Sequence, residues 1–138
     1  MKSIVKIAVT ALMFAIGSTV GAADKQSPKS IRGATTVSTK EAKALFDKGV
    51  AFIDVRNDKD WAAGRIPGAE HLELKKVFSE TTLGNVVKKD EVVCIYCNGP
   101  SCPRSSAATA KAVRWGFTKV HYYRDGFPAW KAAGFPVE

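Results

Sequence analysis

The chain has 138 residues and a formal net charge of +8 at pH 7. This length allows one domain with one hydrophobic core. Its three cysteines are too few for a disulfide scaffold and have no nearby histidine to complete a zinc site. The basic side chains are scattered, with no dense block and no interleaved aromatic residues, so we predict no nucleic-acid partner and only a mild attraction for small anions.

The first 23 residues have the layout of a secretory signal peptide. Two lysines are followed by an apolar run over residues 7–20, and small residues end that run just before a charged segment. The run is shorter than the roughly 18–20 residues of a membrane-spanning helix. We therefore favour cleavage after Ala22 or Ala23 over an uncleaved membrane anchor. The predicted mature protein is periplasmic or secreted, with no stable membrane insertion.

Residues 24–34 are polar, and we predict that they form a flexible lead-in to a single domain over residues 35–138. The first predicted helix of that domain begins at a capping box, Ser38 with Glu41, and ends at Gly49. The apolar run over residues 50–53 comes next. A continuous apolar run is typical of a strand that is buried on both faces of a parallel sheet.

Helix and strand patterns continue to alternate along the rest of the chain. Asn57 or Asp58 is predicted to cap a short helix that ends at Gly64. The later elements are a short strand at 71–72, a partly helical connection over 75–83, a buried strand over 92–96, an alanine-rich helix over 104–115, a strand over 120–123 and a helix over 127–133. This alternation predicts an α/β fold, with a small parallel sheet and helices on both faces.

The loop that follows the strand over residues 92–96 carries the candidate chemistry. Ligands of open α/β sheets bind at the carboxyl ends of strands, and Cys97 occupies such an end directly before a helix. A thiol reacts as its thiolate. The thiolate is favoured here by the N–H groups of a short loop containing Gly99, by a helix N-terminus and by the charge of Arg104. We therefore predict that Cys97 is a nucleophile supported by Arg104.

Cys102 is a second candidate thiol in the same loop. Pro103 is typical of a first helical position, which makes Cys102 the expected N-cap and also favours its thiolate. Cys102 is then either an alternative nucleophile or a resolving partner of Cys97. A plain structural disulfide between the two is a third interpretation. Cys94, inside the strand, is interpreted as a small core residue.

Several segments form an ordered series of motifs along the chain: residues 52–56, Asp60-Trp61, residues 64–69, Tyr96-Cys97 leading to residues 104–107, and residues 123–130 followed by 133–137. In this order they are similar to the motifs of the single-domain rhodaneses, a family of sulfurtransferases. The resemblance covers about residues 38–138. It implies the rhodanese-like three-layer α/β/α fold, in agreement with the alternating pattern.

The resemblance also implies an activity, which is the transfer of sulfane sulfur through a persulfide on Cys97, held by loop N–H groups and by Arg104. The donor would be a small sulfur-containing anion such as thiosulfate, and the acceptor a thiol, cyanide or a protein. No metal or organic cofactor is implied. The candidate substrate-binding residues are Asn98, Gly99, Ser101 and Ser105.

Three residues outside the loop are candidates for a supporting role. Asp54 and Arg56 are interpreted either as a structural ion pair at a strand end or as support for the neighbouring loop. Arg65 stands where the family usually has a histidine, and Asp125 where it usually has a glycine. These two differences are expected to alter contacts at the rim of the site.

The loop itself departs from the family pattern. Six residues separate Cys97 from Arg104, where family members commonly have four, so a wider loop is expected. Pro100 and Pro103 each remove one N–H donor. Cys102 is an additional thiol that could resolve a Cys97 persulfide into a disulfide.

Two alternative functions stay open on the sequence. One is a redox-active or non-catalytic sulfur-carrier module that contains a Cys97–Cys102 pair. The other is a cysteine-based phosphatase, because related phosphatases use a loop with five residues between cysteine and arginine. The six-residue spacing found here fits neither family pattern well.

Overall fold

The computed structural model describes residues 26–138, so the predicted signal peptide lies outside the described residues. The strands are β1 (Ala34–Thr36), β2 (Ala51–Asp54), β3 (Glu70–His71), β4 (Val92–Tyr96) and β5 (Lys119–Tyr123). The helices are α1 (Thr39–Asp47), α2 (Asp58–Ala63), α3 (Glu80–Val86), α4 (Arg104–Arg114) and α5 (Gly126–Ala132). The predicted alternation of helices and strands is confirmed.

The described strands form one parallel sheet in the order β1-β5-β4-β2-β3. Strand β4 lies in the middle and pairs Ile95 with Ile53 of β2 and with Tyr122 of β5. Because all strands run the same way, their carboxyl ends meet at one edge of the sheet. The loop that begins at Cys97 leaves the sheet at that edge.

Alternate side chains of β4 enter two separate cores, one on each face of the sheet. Val93 and Ile95 pack with Leu83 of α3 and Ala108 of α4. Cys94 and Tyr96 pack on the other face with residues of α1 and α5, which include Ala42 and the fully buried Trp130. The structure is therefore a three-layer α/β/α sandwich, as predicted, and Cys94 is the buried core residue expected from its position in the strand.

The sequence patterns place the boundaries of most elements closely. Ser38 caps α1 through the reciprocal capping box with Glu41, and Asn57 caps α2 by accepting a hydrogen bond from the Asp60 N–H. The predicted partly helical connection resolves into turns followed by α3, which Ser79 caps. Strand β1 was not predicted, because it is a short, partly exposed Ala-Thr-Thr segment without an apolar pattern.

The start of α4 differs from the prediction by one residue. Pro103 is the N-cap; its backbone is already helical, and its carbonyl accepts the Ala107 N–H at 3.0 Å. The prediction that Cys102 is the N-cap is wrong. The Cys102 N–H closes a turn onto the Gly99 carbonyl, and its sulfur is bonded elsewhere, so Cys102 belongs to the loop.

Candidate active site

Cys97 is fully buried at the carboxyl end of the central strand β4. Its carbonyl oxygen accepts a hydrogen bond from the Phe127 N–H at 2.9 Å, in the first turn of α5. The cysteine is thereby held between the sheet and α5. The predicted location of Cys97 at a strand end is confirmed.

Gly126 allows α5 to approach this backbone closely. Its φ of +70° is in the left-handed region, which favours glycine. A Cβ at this position would clash with the Cys97 carbonyl oxygen and lie 2.7 Å from the Gly99 nitrogen. A residue without a side chain is therefore required where α5 packs against the cysteine loop.

Replacing Gly126 with alanine should lower the free energy of unfolding by about 2–5 kcal/mol. A left-handed non-glycine residue costs about 1–2 kcal/mol, and overpacking adds about 1–3 kcal/mol. Gly134→Ala is the matched control, because Gly134 has a φ of +76° but a Cβ there would meet nothing within 4 Å. Urea unfolding of both variants measures the difference. If both variants lost the same free energy of unfolding, the close contact with the loop would not be the reason that position 126 requires glycine.

The sulfur atoms of Cys97 and Cys102 are bonded to each other, with their Cα atoms 6.5 Å apart. Cys97 is inaccessible, whereas Cys102 is partly exposed. The structure therefore shows the bridged form of the pair. A bridge is expected both for a structural disulfide and for a redox-active disulfide. Cys94 is a free thiol on the other face of the sheet, and burial raises its pKa.

The backbone of the loop offers fewer anion-binding groups than its length suggests. Pro100 and Pro103 have no N–H, and the Cys102 N–H donates to the Gly99 carbonyl at 3.0 Å. Within residues 26–138, the N–H groups of Asn98, Gly99, Ser101 and Arg104 make no hydrogen bond. These four donors, together with the Ser105 and Ser106 N–H groups in the first turn of α4, could face a bound anion or a charged sulfur.

Asp54 and Arg56 form a buried ion pair, and Arg56 also contacts the loop. The Arg56 Nη2 lies 2.7 Å from Asp54 Oδ2 and donates to the Gly64 carbonyl at 2.6 Å. The Arg56 Nη1 donates to the Asn98 Oδ1 at 3.3 Å. The Asn98 amide in turn donates to Asp60 Oδ2 at 2.7 Å. The first residue after Cys97 is thus held by its side chain from two directions.

The Arg104 guanidinium contacts a carboxylate and a backbone carbonyl. Its Nη1 forms a short ion pair with Glu73 and donates to the Val55 carbonyl at 3.3 Å. Burial tends to raise the pKa of Glu73, but the hydrogen bond from Arg104 and those from the Lys76 and Lys75 N–H groups outweigh it, and the pKa is lowered. Arg104 thus meets a buried carboxylate, which offsets the charge it could offer a ligand.

The remaining predicted site residues differ in exposure and in their contacts. Ser101 is exposed. Ser105 is buried, and its Oγ has no hydrogen-bond partner among the described residues. Arg65 stacks over the Trp61 ring at 4.4 Å and pairs with Glu138 at 3.5 Å. The described contacts of Arg65 therefore place it in a surface cluster.

The described part of the predicted lead-in makes specific contacts with the loop. The Ser27 N–H donates to the Pro100 carbonyl at 2.6 Å, and the Ser27 Oγ donates to the Cys102 carbonyl at 2.5 Å. The Arg124 guanidinium holds the Ser27 carbonyl at 2.8 Å. We expected a flexible segment here, because polar side chains gave no sign of these backbone partners. The domain boundary at residue 35 stays a prediction.

Four contributors to this site were missed at the sequence level: Ser27, Glu73, Arg124 and Gly126. Glu73 had a usable signal, because a lone carboxylate between two leucines often marks a buried pair. Gly126 lies in a segment noted for its resemblance to a family motif, but only the folded chain shows what it contacts. Within residues 26–138, no helix is long and apolar enough to cross a bilayer, and no cluster of side chains could hold a metal ion.

Comparison with known proteins identifies the family. A model of the rhodanese-like domain matches residues 38–133. The chain belongs to the rhodanese-like family. It is 31% identical over 102 residues to the thiosulfate sulfurtransferase GlpE of Pseudomonas entomophila, a match that covers 74% of this chain and 88% of that relative.

Solved rhodanese-like structures share the fold. The human single-domain sulfurtransferase TSTD1 superposes with a TM-score of 0.59 at 25% identity, covering 72% of this chain and 96% of that chain. A Rhodopseudomonas palustris protein, RPA3614, described as of unknown function and a possible tyrosine phosphatase, superposes with a TM-score of 0.62 at 29% identity, covering 76% and 85%. The predicted family and fold are thus confirmed.

Proposed function

We propose that the mature chain is a periplasmic sulfurtransferase that carries sulfane sulfur as a persulfide on Cys97. The observation that carries this proposal is the position of Cys97 in a rhodanese-like fold, at the carboxyl end of the central strand and at the start of a loop with unpaired N–H groups. The named activity of the relative GlpE supports thiosulfate as the donor.

The proposed transfer has two steps. The Cys97 thiolate attacks the outer sulfur of thiosulfate, a new sulfur–sulfur bond forms, and sulfite leaves with the electron pair of the bond that breaks. A thiophilic acceptor such as cyanide, a thiol or a protein thiol then takes the outer sulfur and releases the thiolate. The N–H groups of Asn98 and Gly99 lie beside Cys97 in the chain and could stabilise the charged persulfide.

The bridged form seen here contains no Cys97 thiolate, so this form is inactive in the proposed cycle until the bond is reduced. The bond also supports the alternative of a redox-active or non-catalytic module. A phosphatase activity has less support, because Arg104 is engaged by Glu73. Assay with p-nitrophenyl phosphate tests that activity directly.

The variant Cys102→Ser provides the sharpest test, since it cannot form the bridge. After incubation with thiosulfate and removal of the donor, its intact mass should rise by about 32 Da, one added sulfur. Digestion should locate the sulfur on Cys97, and cyanide should remove it as thiocyanate. Bridged wild-type protein is the control and should gain no mass. If Cys102→Ser gains no sulfur, the proposed function is wrong.

Export is part of the proposal and rests on residues 1–23, whose basic start, apolar run and small residues are typical of a signal peptide. A bridged cysteine pair also suits an oxidising compartment. Cell fractionation followed by N-terminal sequencing tests it. The expected mature protein begins at Ala23 or Asp24; recovery of the full-length chain from the cytoplasm would contradict export.

A further inference from the structure

The turn that carries Cys102 returns the chain to Cys97 and is anchored independently of the sulfur–sulfur bond. The Cys102 N–H closes the turn onto the Gly99 carbonyl, and Gly99 has a φ of +122°. On the outer side, Ser27 holds the carbonyls of Pro100 and Cys102. These backbone contacts fix the turn without involving the sulfur–sulfur bond.

We propose that Cys102 resolves the Cys97 persulfide, that the transferred sulfur leaves as sulfide, and that an external dithiol is the physiological reductant. This inference rests on the proposed function, because it requires a persulfide on Cys97. It adds the fate of the sulfur and the chemical class of the partner. The protein then acts as a thiosulfate reductase rather than as a carrier to a sulfur acceptor.

The resolving step balances without any further reactant. The Cys102 sulfur attacks the Cys97 Sγ, the bond between Sγ and the outer sulfur breaks, and the outer sulfur leaves as HS⁻ with that electron pair and the Cys102 proton. The two cysteines are oxidised to the disulfide, and the sulfane sulfur is reduced to sulfide. The product is the bridged form seen in this structure.

The unequal burial of the two cysteines determines how the bridge is reopened. Cys97 is fully buried, while Cys102 is partly exposed, so an incoming thiolate meets the Cys102 sulfur and Cys97 is the leaving group. A mixed disulfide then forms on Cys102, directly beside the released Cys97 thiolate.

This geometry selects a dithiol over a monothiol. The Cys97 thiolate is held beside the mixed disulfide and can expel a monothiol by closing the bridge again. A dithiol instead resolves the mixed disulfide with its own second thiol, an intramolecular step with a high effective concentration. Thiosulfate and dithiol are thereby converted into sulfite, HS⁻, one proton and the partner's disulfide.

A purely structural bridge explains the loop less well. A cross-link between cysteines five positions apart closes a short loop and removes little entropy from the unfolded chain. The loop is also already fixed at Asn98 by Arg56 and at Cys102 by Ser27. The bridge therefore adds less stability than a long-range cross-link would, whereas it places a partly exposed cysteine beside a buried one.

A single-turnover experiment tests the proposal. Mature wild-type protein is reduced, freed of reductant without oxygen, and mixed with thiosulfate in the absence of any thiol. We expect about one sulfide and one sulfite per chain and a final mass two hydrogens below that of the reduced protein. Cys94→Ala, which removes a buried thiol on the other face of the sheet, should behave like wild type. Cys102→Ser should release sulfite and retain the sulfur as a persulfide.

The outcomes separate this inference from the proposed function. A wild-type protein that keeps its persulfide and releases no sulfide would overturn the resolving role of Cys102. If Cys102→Ser forms neither sulfite nor persulfide, the proposed function itself fails. In steady state, dithiothreitol should sustain sulfide release by wild type at least about tenfold faster than glutathione at equal thiol concentration. Equal rates would overturn the dithiol as partner class.

Discussion

Cys97→Ser protein is expected to form thiocyanate from thiosulfate and cyanide no faster than buffer, a loss of about a thousandfold or more. Serine is not ionised at neutral pH and cannot form the sulfur–sulfur bond on which the transfer depends. Cys97 is also the thiol that β4 delivers to the carboxyl edge of the sheet. Initial rates measured with reduced, reductant-free protein test this expectation, with Cys102→Ser as the active reference because it cannot close the bridge.

Two other cysteine variants make the result specific. Cys102→Ser lacks the disulfide, as Cys97→Ser does, but it should still form the persulfide on Cys97. Comparing the two variants therefore separates the effect of losing the bridge from the effect of losing the nucleophile. Cys94→Ala should retain the wild-type rate. The assignment would be reversed if Cys97→Ser were active and Cys102→Ser were not.

Asp54→Ala is expected to lower the free energy of unfolding by about 3–5 kcal/mol, because it leaves the buried Arg56 guanidinium without its carboxylate. Domains of this size are stable by only about 5–15 kcal/mol in total, so the loss is large. Urea unfolding with a fixed m-value measures it. If the alanine variant does not fold, Asp54→Asn, which keeps the shape and one acceptor, should show a smaller loss.

Asp47→Ala is the matched control for that experiment. Asp47 pairs with Lys43 at 2.7 Å on the exposed surface of α1, where water screens the interaction. The expected change is within about 0.5 kcal/mol. A similar loss at Asp47 and Asp54 would mean that burial does not govern the strength of the inner pair. The inner pair also orients the loop, because Arg56 reaches Asn98.

Local patterns were sufficient for most of the fold. The capping box at Ser38, the cap at Asn57 and the continuous apolar run of β4 are encoded in short stretches of chain, where backbone hydrogen bonding and burial on both faces impose their own periodicity. Strand β1 was missed because its short Ala-Thr-Thr segment has no apolar pattern and is recognisable only by its pairing with β5.

The candidate site was predicted only in part. The position of Cys97 was predicted from the end of an apolar strand, and the sequence itself contains the second thiol, Cys102, in the same loop. The direction of Arg104 was not predicted, because it depends on Glu73, which lies 31 positions away. The contacts of Ser27 with the loop, 75 positions away at Cys102, likewise have no local pattern.

The sequence alone determined that a thiol lies at a strand end in an α/β fold, because strand burial and helix capping are properties of neighbouring residues. Only the tertiary structure decided which charges remain available to that thiol and where its partner sulfur lies. Arg104 forms an ion pair with a buried carboxylate, and the Cys102 sulfur is bonded to that of Cys97. Gly126, which has no side chain, allows α5 to pack against the loop. Each of these depends on groups brought together from distant parts of the chain, where burial and competing hydrogen-bond partners select one arrangement.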